Sequence, residues 1–229
     1  MAELGKIEKP EASTFLAKRK LYVVPTLPFE ELASQYNIDM VKVERFWGEV
    51  REKINYFIST YGKISIIYIE GVNEDEVAGL EYFEKTGKDN NHYRLIKDLL
   101  DNGAVVKGIE KTGQLERSKL LFEEYSKSFY PEVQEIHKGY YGKDINFDRW
   151  REYLTKKIQE IQDEMGKSAT RILGELHADS SGILIITDGR PIEFPEGIDI
   201  FQIRPPAFDE IERNIREKVN TLNRMNQQE

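Results

Sequence analysis

Five residues carry the chemistry this sequence could do: Glu70, Glu110, Asp188, Arg190 and Arg204. Each closes or follows a stretch that reads as a β-strand. Ile64–Glu70 ends in Glu70, Ala104–Ile109 is followed by Glu110, Gly182–Thr187 by Asp188-Gly189-Arg190, and Ile198–Arg204 ends in Arg204. In an open parallel α/β sheet, ligands bind beyond the carboxyl ends of the strands. If these strands run parallel, three carboxylates and two arginines meet on one edge. Carboxylates so placed could hold Mg²⁺ or Mn²⁺, or one could serve as a general base with a raised pKa. Glu70 and Glu110 are the candidates for both the catalytic and the metal-ligating role. Arg204, Asp188 and Arg190 are the candidate ligand-binding residues, and Arg204 could grip an anionic group with both guanidinium nitrogens. A structural reading stands beside the functional one. Acids after strands often cap the next helix, Asp-Gly is a common turn pair, and strand-end Glu and Arg pair with each other.

Other chemistries lack their residues. There is no cysteine, which excludes disulfides, thiolate catalysis and zinc–sulfur sites. His92, His137 and His177 show no HxxxH, HExxH or HxH spacing, so a histidine metal site is not expected. No GxGxxG, Walker A or GxSxG sequence is present, so the usual phosphate cradles and the nucleophile elbow are missing.

The elements that must position the five residues read clearly in places. Lys20–Thr26 is the first strand candidate, ended by Pro25 and the Thr26-Leu27-Pro28 turn. Asp39–Tyr61 places Met40, Val43, Trp47, Val50, Ile54, Phe57, Ile58 and Tyr61 on one stripe, with Asp39 as N-cap and Gly62 as stop. A second helix spans Asn91–Asn102. Gln114–Tyr130 and Glu132–Gly139 are helical, separated by Pro131. Phe147–Met165 lines Phe147, Trp150, Leu154, Ile158, Ile161 and Met165 on one side; Gly166 is expected to break it before further turns over Ser168–His177. Phe208–Met225 closes the chain. Strands alternating with helices argue for βαβ crossovers, hence a mostly parallel α/β sheet with helices on both faces. We expect residues 1–15 to form a flexible leader and residues 16–229 a single domain.

The 229 residues carry a formal net charge of −8, and 32% of them are charged. Such a surface repels phosphate backbones, so nucleic acid is not an expected partner. No apolar run reaches the roughly 18 residues of a membrane helix, and the first 15 residues lack the apolar core of a signal peptide. The cytoplasm is therefore the expected compartment.

Two resemblances bear on this reading. The segments LAKRKLYVVP and EFPEGIDIFQIRPPAFDEIER resemble the two ends of an uncharacterised family of bacterial proteins. That resemblance implies the fold and no activity. More distantly, the order of elements is similar to that of the TraB, ChaN and erythromycin-esterase group. The resemblance implies a parallel α/β core with a glutamate closing an early strand, to which Glu70 in IYIEG corresponds, with Glu110 as a second acid. The group's histidines after strands have no counterpart: the turns here are Pro25-Thr26-Leu27-Pro28 and Asp188-Gly189-Arg190.

Three functional expectations follow. The first is a binding or regulatory protein with a polar site at the carboxyl edge. The second is a carboxylate-dependent, metal-assisted hydrolase. The third is a homo-oligomeric module joined through the amphipathic helices Asp39–Tyr61 or Phe208–Met225. Whether the chain is an enzyme is left open at this point.

Overall fold

The computed structural model describes residues 19–76, 79–84, 88, 90–141 and 146–226. The expected leader over residues 1–15 lies outside them. In chain order the elements are β1 (Arg19–Thr26), α1 (Phe29–Tyr36), α2 (Met40–Tyr61), β2 (Ile66–Asn73), α3 (Leu80–Phe83), α4 (Asn91–Asp101) and β3 (Val105–Glu110). They continue with α5 (Gln114–Lys127), α6 (Pro131–Tyr141), α7 (Phe147–Gly174), β4 (Ser181–Thr187), β5 (Ile198–Gln202) and α8 (Pro206–Asn226).

Five strands form one sheet in the order β3-β2-β4-β1-β5, and every neighbouring pair is parallel. Strand alternation divides the apolar side chains between two faces. Tyr22, Val24, Ile67, Ile69, Ile183 and Ile185 meet the stripe of α2 and residues of α4 and α8 in one large aromatic cluster. Leu21, Val23, Tyr68, Leu184 and Ile186 meet Ala169, Ile172 and Leu173 of α7 on the other side. Helices thus cover both faces of a parallel sheet, as the alternation of elements predicts.

The central strand β4 has a position that matters for function. The chain leaving β1 enters α1 and α2 on the aromatic face, and that leaving β2 enters α4 on the same face. The chain leaving β4 passes over α7 instead: Thr170 donates to the Glu193 carbonyl at 2.7 Å, and Ile192 packs into the second cluster. Neighbouring strands whose connections leave to opposite faces make a switch point, where α/β sheets open a crevice. β4 has one on each flank.

Several expectations are corrected. Gly166 does not break the helix; α7 is continuous over 28 residues. A Cβ on Gly166 would sit 2.8 Å from the Pro191 carbonyl, so the glycine admits the β4–β5 connection against α7 rather than ending a turn. Trp150, placed mid-stripe by periodicity, is only partly buried and stacks on Tyr153 at 5.5 Å. Its end of α7 runs antiparallel to α5, with Arg151 reaching the Ser128 carbonyl and Arg117 pairing with Glu164. There it packs on a helix, not on the sheet. α1 and α3 were not anticipated. Val43, Trp47, Val50, Ile54 and Phe57 of the α2 stripe are buried, as are Phe208 and Ile211 of α8, whereas Met40, expected on that stripe, is exposed. No helix of the described residues is long and apolar enough to cross a membrane.

Candidate functional site

β2 does not stop at Glu70. It continues to Asn73 through a register shift between Ile69 and Asn73, with Gly71 at φ 82°. A bulge of this kind re-aims side chains. Here Glu70 turns toward β4, where its Oε2 accepts the Thr187 amide at 2.6 Å. Gly108 of β3 is pressed against the bulge: an added Cβ would lie 2.1 Å from the Val72 carbonyl. Behind the bulge, the Glu110 side chain is completely buried.

The turn after β4 supplies the cation. Arg190 donates its amide to the Thr187 carbonyl at 3.2 Å, and Gly189 sits at φ 79°. This is the turn expected of an Asp-Gly pair. It folds the Arg190 side chain back under β2 and β3. Nη1 of Arg190 lies 2.7 Å from Glu70 Oε1 and 2.5 Å from Glu110 Oε1. One guanidinium nitrogen therefore bridges both carboxylates. Nη2 of Arg190 and Oε2 of Glu110 are buried without a hydrogen-bond partner among the described residues. Burial raises the Glu110 pKa; the charge and hydrogen bond of Arg190 oppose the shift, and the nearby Glu70 charge adds to it.

The acid pair predicted from strand ends is thus brought together, but Arg190, not Arg204, stands between its members. Arg204 follows the edge strand β5, which β4 and β1 separate from β2. Its nitrogens are spent on Asp188 at 3.1 Å, Asp209 at 2.8 Å and Glu212 at 2.9 Å, and its plane lies over Phe208. Asp188 is held by Arg204, and its amide donates to the Thr26 carbonyl at 2.8 Å. Arg204 and Asp188 share the carboxyl edge with the triad and form their own ion-pair network, and Asp188 also lines the cleft that holds Glu70 and Arg190.

A cleft of about 380 Å³ opens over the triad, lined by Glu70, Thr187, Arg190, Ser118 and Phe122 of α5, and Gln162 of α7. A metal shared by Glu70 and Glu110 would have to displace the guanidinium. Among the described residues no group of three or more His, Asp or Glu side chains is placed to hold an ion. The arrangement can instead accept hydrogen bonds from a polar ligand through Glu70, with Arg190 fixing the carboxylate in place.

Sequence reasoning missed His92. It carries no motif, yet its ring lies against Trp47 at a second cleft on the other flank of β4. The one available signal was its place at the start of a helix that follows a strand on the aromatic face. Compared with family models, curated proteins and solved structures, the chain matches none.

Proposed function

We propose that the protein is a binding or regulatory protein whose site is the polar cleft beyond β2 and β4. The supporting observation is the triad itself: two carboxylates clamped by one buried arginine at a switch point of a parallel sheet. Two acids, Glu70 and Asp188, line the cleft against one base, Arg190, so it suits a small polar molecule that presents an ammonium or amide N–H to Glu70. Glu110 lies behind Arg190 and outside the cleft lining, so it sets the charge of the site without touching the ligand. That geometry weighs against the hydrolase alternative, which needs both acids at the reacting bond or at one metal. The likeness to the TraB, ChaN and erythromycin-esterase group fits the same reading, as a scaffold of that kind without histidines after its strands.

The test is a thermal-shift screen of amines, amino-acid amides, phosphoesters, esters and short peptides, with and without Mn²⁺. An amine or amide should raise the melting temperature of the wild type and not that of Glu70→Gln. Stabilisation by phosphoesters alone, or turnover that depends on Mn²⁺, would overturn the proposal.

A further inference from the structure

The second cleft, of about 310 Å³, lies at the β1/β4 switch point. Its floor includes Thr26, which closes β1, and Ile185 of β4; its walls include Met40 and Trp47 of α2 and His92 of α4. The walls are tied together. The Asn91 amide donates to Glu44 Oε2 at 2.9 Å, and the Asn91 side chain donates to the Glu44 carbonyl at 3.0 Å. The Asn90 side chain accepts the Tyr93 amide at 2.7 Å, capping α4 beside the cleft.

His92 is held among aromatic rings. It stacks on Trp47 with centroids 4.0 Å apart, and Phe83 meets it edge-on at 5.8 Å. Its Nε2 is buried and has no hydrogen-bond partner. Leaving such an atom unsatisfied costs stability, which a ligand supplying the bond recovers. The other lining groups fit a neutral ligand. Among the described residues no Lys or Arg lines the cleft, and the carboxylate that does, Glu44, is engaged by the Asn91 amide. Burial lowers the His92 pKa to about 4, so near neutral pH the ring offers a hydrogen bond and no charge.

We propose that this cleft binds a small, planar, largely apolar molecule with a ring nitrogen, seated against Met40, Trp47 and His92 and oriented by a hydrogen bond to Nε2 of His92. The volume suits a bicyclic heteroaromatic. Met40, exposed and unbranched, is the wall side chain best able to shift and admit the ring to the sealed nitrogen. This proposal stands apart from the polar cleft and survives or fails independently of it.

The chain has three histidines, so its imidazole ¹⁵N spectrum is simple. The probes are benzimidazole, which offers one donor and one acceptor, and indene, the same bicycle without nitrogen. Benzimidazole should shift the His92 ring signals and leave those of His137 and His177 in place. The affinity ratio of benzimidazole to indene should fall on the order of tenfold in His92→Phe, the loss expected for one hydrogen bond. If His92→Phe does not fold, the wild-type spectrum decides alone: a His92 ring shift with benzimidazole, absent with indene, supports the site. Unmoved His92 signals at millimolar benzimidazole, movement of His137 or His177 instead, or an unchanged ratio in the variant would each overturn it.

Discussion

The two flanks of β4 present opposite solutions to one problem. On the β2 side a polar cleft is built on ions: Arg190 bridges Glu70 and the fully buried Glu110. On the β1 side the cleft is aromatic, and a single imidazole lies between Trp47 and Phe83. Burial pushes both titratable groups toward their neutral forms, raising Glu110 and lowering His92. What differs is the partner. Glu110 has a fixed guanidinium that opposes the shift, whereas none of the described residues bonds Nε2 of His92. Arg190 offsets the burial of Glu110 in part. A group whose burial is not offset is left for a ligand to satisfy.

The comparison is broken most forcefully by removing the bridge. Arg190→Met leaves two carboxylates facing each other with no counterion, and we expect a loss of about 3–5 kcal/mol at pH 7. The loss should shrink in acid, as Glu110 takes up a proton. Urea titrations showing a loss under about 1 kcal/mol would mean that the bridge contributes nothing to the fold.

Next in size is the pH dependence of the aromatic cleft. The His92 pKa is lowered from 6.5 unfolded to about 4 folded, so the unfolded chain binds more protons between those values. Its contribution is therefore present above pH 6.5 and lost as pH falls toward 4, by up to about 3 kcal/mol. His92→Phe should flatten that part of the stability profile. A variant whose profile keeps the wild-type slope would show that the imbalance lies elsewhere.

The polar cleft should slope the other way. Because the folded Glu110 pKa is raised, its contribution is present below the unfolded value and is lost as pH rises past it. Glu110→Gln should match the wild type near pH 4 and equal or exceed it by up to about 1 kcal/mol at pH 7, since Arg190 keeps Glu70 as partner. Greater stability of the wild type at pH 7 would show that the ion pair outweighs its desolvation.

A contrast between the two tryptophans sharpens the boundary of the core. Trp47 is 6% exposed in the aromatic cluster, and its change to Ala should cost about 3–5 kcal/mol. The partly exposed Trp150 should cost about 1 kcal/mol or less as Trp150→Ala. Equal losses would place Trp150 in a core that the structure does not assign to it.

The sequence alone determined the elements with strong periods and the edge on which the acids gather. Short apolar runs rich in β-branched residues identified β1, β2, β3 and β4, and the stripe of Asp39–Tyr61 with its Asp39 cap identified α2, because these signals are local. Parallel strands followed from the alternation with helices, and that put Glu70 and Glu110 on one edge. Only the tertiary structure decided which arginine lies between them, since Arg190 and Glu110 are 80 residues apart in the chain. Their meeting depends on β4 inserting beside β2, and no local pattern encodes strand order. The same holds for Gly166, which periodicity reads as a breaker until the Pro191 carbonyl is seen pressed against it. It holds too for His92, whose pairing with Trp47 exists because α2 and α4 share a face of the sheet. Local patterns fix which way a side chain points from its own element, and only packing fixes what stands opposite.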